Sequence, residues 1–438
     1  MQVAERSLAD WLQSLLALQP DKVELGLERI ERVWHRLGAP KPGRLKALVA
    51  GTNGKGSCIE TMRVLGQNAG LRVGSYTSPH LSRFNERIQI PEGPAEDRLI
   101  CDAFAQVKAA QQDARLSWFE FTTLGALCLL DAQDLDLALL EIGLGGRLDA
   151  VNVVPADISV LTNVALDHCE YLGYSRDEIA LEKAAIARKG QRLIYGESSL
   201  PSSLMRTAGE QSLDLIRYGI DYQVAEVQTG AGRFWSYRSG MHDFADLPAV
   251  PLPLESCAAG LSAFLQLYPD TGYEVVQDAM ARLQRKGFPG RNQLMGNGPR
   301  VLLDVAHNPH AGAHLVDLVQ NYRSSGPDAK VHWVFGASKD KDISGLVDTL
   351  AVIPGCWYPV VADVPQRALP LPPLLAELEK KKLELFNQPS GFEGSVAEGL
   401  KSALTQAGME DLVVVCGSLY VVGEALALCQ ELGLDTDG

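Results

Sequence analysis

The stretch Lys46-Ala47-Leu48-Val49-Ala50-Gly51-Thr52-Asn53-Gly54-Lys55-Gly56-Ser57 decides the fold. Its first five residues are an apolar run of strand length, and the next seven are a glycine-rich turn carrying one lysine. A helix is expected to follow to about Ala69, closed by Gly70. Strand, glycine-rich turn and helix together hold phosphate: backbone N–H groups converge on the anion and the helix N-terminus adds partial positive charge. Lys55 supplies a full charge, and Ser57 offers a hydroxyl to Mg²⁺. The match to G-x-x-x-x-G-K-[ST] is imperfect, because Gly51 lies too close to Gly54 and Gly56 separates Lys55 from Ser57. A plain strand-to-helix turn is the alternative; the strand ahead of the loop favours phosphate.

Outward from this loop, Leu135–Ile142 and Ile158–Val164 are further apolar runs of strand length. Strands apolar on both faces, set between helices, predict a mostly parallel sheet covered on both sides. Residues 5–37 read as amphipathic helices interrupted near Gln19–Lys22. Tyr195–Pro253, with short alternating segments such as Arg233–Arg238 and many Gly and Pro, reads as a small antiparallel appendage. Helices are expected over Ser256–Leu267 and Glu274–Gln284. Lys286–Arg291 and Gly296–Pro299 form the best linker candidate, and strands at 300–305, 330–335, 356–361 and 411–416 alternate with helices beyond it. The expected fold class is therefore α/β: a P-loop-type, mostly parallel sheet domain with the appendage over residues 1–290, then a smaller Rossmann-like α/β domain over 298–438.

Composition agrees with this picture. A chain of 438 residues, 46% hydrophobic and 21% charged, is long enough for two or three domains with real cores. The formal charge of −14 disfavours a nucleic-acid or membrane-surface binder, since both want clustered Lys and Arg. Glu5, Arg6 and Asp10 interrupt the apolar residues of Met1–Leu16, so no signal peptide is expected, nor does any run of about 18 apolar residues suggest a membrane span. The eight cysteines include no C-x-x-C pair and several lie in apolar runs, which favours free thiols in the cytoplasm.

In an open α/β sheet the ligand sits at the carboxyl ends of the strands. Glu141 ends Leu135–Leu140 and precedes Gly143-Leu144-Gly145-Gly146, a Walker-B position. His168 follows the next strand, in Asn163-Val164-Ala165-Leu166-Asp167-His168. Either residue alone reads as structural; at successive strand ends, opposite a phosphate loop, both become metal-site candidates. Mg²⁺ prefers oxygen ligands, so the imidazole is unusual. The sequence holds no nucleophile elbow and no Cys–His signature, so covalent catalysis by the protein is not indicated.

These segments resemble bacterial folylpolyglutamate synthases that are also dihydrofolate synthases, within the Mur ligase superfamily. The likeness covers nearly the whole chain, through Glu24–Arg29, Gly51–Ser57, Thr77–Leu81, Phe119–Thr122, Glu141–Ala150 and Ala165–His168. It continues in Glu182–Ala184, Phe288–Arg291, Asp304–His310 and Gly417–Tyr420. The resemblance implies an ATP-dependent ligase that joins L-glutamate to dihydropteroate and to reduced folates through an acyl phosphate, as a cytoplasmic monomer.

Carried over residue by residue, the resemblance implies ATP contacts at Thr52, Asn53, Gly54, Lys55, Gly56 and Ser57, and further ones at Ser256, Arg291 and Asp304. Relatives often have Asn where Ser256 stands. Two Mg²⁺ ions are implied: one held by Ser78 and Glu141, with His168 on the second or shared between them, and a carbamylated Lys183 helping to bind the second. By itself, Ser before Pro is a turn and Lys183 a solvated helix residue; Ala185 also stands where the family commonly has Gly. Lys55, His168 and Lys183 are the implied catalytic residues. Glu24, Leu25, Gly26, Leu27, Ser117, Trp118, Phe119, Glu120, Leu148, Asp149 and Ala150 are expected to line the pterin substrate. Trp118 and Phe119 would stack on a flat ring, or else serve as core aromatics. His307 and Ser418 are the glutamate-site candidates. The reaction is expected in the cleft between the two domains.

Three rivals remain. One is a folylpolyglutamate synthase without the second activity. Another is a Mur-type cell-wall ligase, for which the 50 residues before Gly51 are too few to form a nucleotide-sugar domain. The last is a P-loop protein that uses ATP only as a switch, against which the second domain and its Asp304–His310 cluster argue.

Overall fold

An apolar strand without a polar face must be covered on both sides, and this requirement organises the first part of the chain. The computed structural model describes residues 6–16, 26–229, 232–286, 288–324, 329–387 and 392–434. They fall into two compact units, Met1–Leu283 and Gln284–Gly438. In the first, Leu45–Ala50 (β1), Val73–Tyr76 (β2), Ile88–Ile90 (β3), Gly93–Pro94 (β4), Leu137–Glu141 (β5), Ile158–Leu161 (β6), Arg192–Tyr195 (β7) and Asp214–Arg217 (β8) form one sheet. Its order is β4-β3-β2-β5-β1-β6-β7-β8. The six strands from β2 to β8 in that order are parallel, and β3 and β4 add an antiparallel edge. Every residue of β2, β5 and β6 is buried.

Register places the carboxyl ends of the central strands level with one another. Val49 pairs with Glu141, Ala50 with Leu161, and Tyr76 with Leu140. Residues just past β1, β2, β5 and β6 therefore emerge along one edge.

The helices of this unit are Leu8–Leu16 (α1), Glu28–Arg36 (α2), Lys55–Asn68 (α3), Asp97–Gln111 (α4), Trp118–Asp131 (α5), Cys169–Leu172 (α6), Arg176–Ala184 (α7), Ser202–Glu210 (α8), Leu254–Leu267 (α9) and Tyr273–Lys286 (α10). One large core joins the sheet to α1, α2, α4, α5 and α7. α3 packs closely on α9, because a Cβ at Gly260 would stand 2.7 Å from the Cys58 carbonyl oxygen. One turn earlier on each helix, at the same four-residue spacing, Gly54 meets Ser256.

Tyr222–Thr229 (β9), Gly232–Ser239 (β10) and Asp243–Pro248 (β11) make a separate three-stranded antiparallel sheet. The appendage is thus shorter than the sequence suggested. Residues 192–217 are instead a β7-α8-β8 unit that extends the parallel sheet to its edge. Edge strand β8 is only half-buried, so its sequence lacks the apolar run that marks β5.

In the second unit Gln293–Met295 (β12), Arg300–Leu303 (β13), Val331–Phe335 (β14), Cys356–Pro359 (β15), Glu384–Leu385 (β16) and Leu412–Cys416 (β17) form a sheet of order β12-β13-β17-β14-β15-β16. All but β12 are parallel. Its core centres on stacked Trp333 and Trp357, with ring centroids 5.5 Å apart. The division between the units falls after Leu283, and the described parts of the two Gly/Pro clusters flank β12. All eight cysteines are free thiols. Among the described residues no helix is long and apolar enough to cross a membrane.

Candidate functional site

Gly51 to Gly54 turn the chain from the end of β1 into α3. Gly54 takes φ +78°, the left-handed region that favours glycine, and a Cβ there would fall on Ser256 Oγ. Gly51 has no room either, since its Cβ would fall on Thr162 Oγ1. The loop is thus a cradle defined by missing side chains, with the first backbone N–H groups of α3 beside it. Lys55 opens α3 and donates from Nζ to the carbonyls of Gly51 (3.1 Å) and Thr52 (3.3 Å). Ser57, the third residue of the helix, is 1% exposed, and its Oγ has no hydrogen-bond partner. A buried hydroxyl in that state is costly unless a ligand completes it.

At the same sheet edge Glu141 ends β5 and is buried, and its Oε2 accepts the Ser78 N–H at 3.1 Å. His168 lies beyond β6 at the start of α6, with φ +50°, its N–H donating to Asp167 Oδ1 at 2.9 Å. Lys183, a solvated residue on the sequence pattern alone, is buried on α7 and donates from Nζ to Gly51 O at 3.2 Å. Two ammonium groups, those of Lys55 and Lys183, therefore meet at one carbonyl oxygen. The approach of α7 depends on Gly146, where a Cβ would press on the Glu182 carbonyl and stand 2.9 Å from Lys183 Cα. Among the described residues no three His, Cys, Asp or Glu side chains form a metal-binding cluster. One carboxylate, one imidazole and a few hydroxyls is nonetheless a donor set that suits Mg²⁺, which takes one or two protein carboxylates and completes its shell with water and substrate phosphate. The orphaned Ser57 hydroxyl fits the same reading.

The expected pterin-lining residues divide into two kinds. Ser117 and Glu120 close a capping box on α5: Ser117 Oγ accepts the Glu120 N–H, and Glu120 Oε2 accepts the Ser117 N–H at 2.7 Å. Glu120 also takes Arg29 Nε at 3.3 Å, so both side chains order the fold here. The Ser-x-x-Glu spacing was the signal for this role. Trp118 lies under the Arg87 guanidinium at 4.8 Å and edge-on to Phe84, while Phe119 stacks on Tyr76 and covers Gly143. Gly26 and Leu27 precede α2 and are half-buried; Glu24 and Leu25 lie outside the described residues.

Leu148 is half-buried beside buried Asp149 and Ala150. Asp149 accepts N–H groups from Leu144 (2.8 Å) and Val151 (2.9 Å). Burial pushes its carboxyl up to about 6, against the lowering pull of those N–H groups and of the Lys55 charge. His80 was not singled out in the sequence. Burial and then the Arg87 charge lower it to about 4, and its Nδ1 accepts Arg87 Nε at 2.8 Å. Arg87, Thr162 and Asn163 were missed as well, and no sequence spacing marks them.

In the second unit the candidates gather at the carboxyl ends of neighbouring β13 and β17. Asp304 accepts the Asn292 and Ala306 N–H groups, each at 2.9 Å. Burial raises its pKa, opposed by these N–H groups and by the charges of Arg291 and His307. His307 Nδ1 lies 2.9 Å from Val305 O. Ser418 is buried and caps helix Leu419–Glu431, its Oγ accepting the Tyr420 N–H at 3.3 Å. The Asp304 N–H bonds Val415 O and the Gly417 N–H bonds Ala306 O, which ties the two loops together.

A glycine-rich strand-to-helix loop with a buried carboxylate at the same edge of a mostly parallel sheet suits an ATP-using enzyme. Residues 290–419 of the second unit match the family described as Mur ligase, glutamate ligase domain. A dihydrofolate synthase/folylpolyglutamate synthase of Escherichia coli strain K12 is 35% identical over 97% of this chain and 96% of its own. The E. coli FolC structure in complex with DHPP and ADP superposes with a TM-score of 0.89 at 34% identity, covering 98% of each chain. A bifunctional folylpolyglutamate synthase/dihydrofolate synthase with Mn, AMPPNP and L-glutamate bound gives 0.86 at 35%, covering 97% and 98%. The chain belongs to the dihydrofolate synthase/folylpolyglutamate synthase family.

Proposed function

We propose that this enzyme uses ATP to join L-glutamate to dihydropteroate, and then to reduced folates, releasing ADP and phosphate. The observation that carries the reading is likeness over the full length to proteins named for both activities, together with a phosphate loop level with Glu141 and touched by Lys183. Relatives crystallised with DHPP and ADP, and with Mn, AMPPNP and L-glutamate, support the substrate set.

The chemistry follows from charge. The substrate carboxylate attacks the γ-phosphorus, the bond to the β-phosphate oxygen breaks, and ADP leaves an acyl phosphate behind. The glutamate amine then attacks the acyl carbon, an amide forms, and phosphate departs with the proton going to solvent. Phosphoryl transfer asks the protein for positioning and charge neutralisation. The α3 N–H groups, Lys55 and Ser57 are assigned to the phosphates, and Ser256, packed on Gly54, to the nucleotide. Ser78 and Glu141 would hold Mg²⁺, with His168 and Lys183 at a second ion; bound there, the metal neutralises phosphate charge.

Carbamylation of Lys183, in which its ammonium loses one proton, the free amine adds CO₂ and the product loses a second proton to solvent, turns one of two clustered cations into an anion. That relief at Gly51 O supports the assignment. In the second unit Arg291 and Asp304 are assigned to the nucleotide, and His307 and Ser418 to glutamate. Residues 1–290 would form the ATP- and folate-binding domain and 298–438 the glutamate ligase domain of a monomer, and the free thiols suit work in the reducing cytoplasm. Purified protein with Mg²⁺, ATP, L-glutamate and dihydropteroate is expected to release phosphate in step with dihydrofolate. Phosphate release indifferent to both dihydropteroate and a reduced folate would overturn the proposal.

A further inference from the structure

We propose that Asn163 is a positioning residue for ATP: its carboxamide sets the backbone of the phosphate loop and joins that loop to the segment ending in His168. The inference rests on reading Gly51–Ser57 as the nucleotide's phosphate loop. Asn163 Oδ1 accepts the Asn53 N–H at 3.0 Å, and its Nδ2 donates to Asn53 O at 3.0 Å. One side chain thereby satisfies both backbone groups of a single loop residue. Thr162 Oγ1 donates to the same Asn53 carbonyl at 2.6 Å. The loop grips back: the Thr52 N–H bonds Asn163 O at 3.2 Å. The Thr52 hydroxyl accepts the Ala165 N–H at 3.0 Å and lies 3.1 Å from Ala165 O.

Two consequences follow. Thr52, assigned to ATP from the sequence, has its hydroxyl turned towards Ala165 and acts through the loop's placement. Glycines at 51 and 54 leave the loop without stiffness of its own, whereas binding an anion through backbone N–H groups requires fixed peptide planes. Asn163 supplies that rigidity from a strand end 110 residues later. The segment carrying Asn163 is anchored in turn, since the Val164 N–H donates to Glu197 at 3.2 Å and Val164 O accepts Arg176 Nε at 2.8 Å. A loop ordered before the ligand arrives binds it without a further ordering cost.

The test measures KM for ATP, dihydropteroate and L-glutamate, and AMPPNP affinity, in wild type, Asn163→Ala, Asn163→Asp and Lys55→Ala. Asn163→Ala is expected to raise the ATP KM and weaken AMPPNP roughly 10- to 100-fold, the scale of two lost hydrogen bonds, with the dihydropteroate KM within about twofold. Asn163→Asp keeps the acceptor for Asn53 N–H but sets an anionic oxygen against Asn53 O, so it is expected to be at least as impaired. Should Asn163→Ala fail to fold, Thr162→Val removes the 2.6 Å bond at constant shape and must raise the ATP KM with the same selectivity. An unchanged ATP KM in Asn163→Ala, while Lys55→Ala loses AMPPNP, overturns this inference alone. Parallel rises in all three KM values with a lowered melting temperature would make Asn163 merely structural and overturn it too. Wild-type AMPPNP binding by Lys55→Ala would instead sink the phosphate-loop reading itself.

Discussion

Replacing Ser57 with alanine should move stability and ligand response in opposite directions. The hydroxyl is 1% exposed and without a partner. An unsatisfied buried hydroxyl costs about 1–3 kcal/mol, so its removal is expected to stabilise the ligand-free protein by about 1–2 kcal/mol. At roughly 2–4 °C per kcal/mol for a unit of this size, the melting midpoint rises roughly 2–8 °C. With Mg²⁺ and AMPPNP the sign reverses, because the hydroxyl is assigned to the phosphate or its metal. Ligand stabilisation grows as RT ln(1 + [L]/Kd), so a tenfold weaker affinity removes about 1.4 kcal/mol of that increment. Thermal melts of wild type and Ser57→Ala, each with and without Mg²⁺–AMPPNP, read both terms. A lowered ligand-free midpoint, or a nucleotide increment as large as wild type's, would refute the reasoning.

Other perturbations test other parts of the site. Asp149 is protonated in the folded state up to about pH 6 but in the unfolded chain only up to the ordinary aspartate value of 3.8, so its contribution falls as pH rises through that window. The unfolding free energy of wild type relative to Asp149→Asn should accordingly drop by about 2 kcal/mol between pH 4 and pH 7; a constant difference in urea titrations counts against the buried carboxyl. Gly54→Ala should weaken AMPPNP binding through a left-handed φ, costing about 1–2 kcal/mol, plus collision with Ser256 Oγ. Adding Ser256→Gly should restore only the steric part, so complete or absent recovery in calorimetry would be wrong for this geometry. Lys183→Ala should lose most turnover and regain part of it with millimolar formate or acetate; full activity without the additive discards the carbamate role.

The strand–loop–helix over 45–68 was legible because an apolar run ends at glycines and a lysine, and the strand-end positions of Glu141 and His168 because each follows an apolar run. β8 was not, since a half-exposed edge strand has no apolar run to read. Lys183 read as solvated because helical position alone does not reveal that α7 lies against Gly146 and delivers Nζ to Gly51 O. Asn163 left no trace, because a side chain bonding backbone 110 residues away has no periodicity. Ser117 and Glu120 went the other way: family likeness drew them towards the ligand, while their three-residue spacing already described a cap.

Gly146 acts as a gauge block for the site. It sets the distance between the turn leaving Glu141 and the backbone of α7, and that distance fixes how far the Lys183 amine reaches. Any side chain at 146 meets main-chain atoms, which cannot rotate aside as a rotamer can, so the whole helix must retreat. Displacements of about 1 Å at reacting groups can cost about 100-fold in rate. A buried glycine with no chemistry of its own therefore sets a tolerance that the reacting groups inherit.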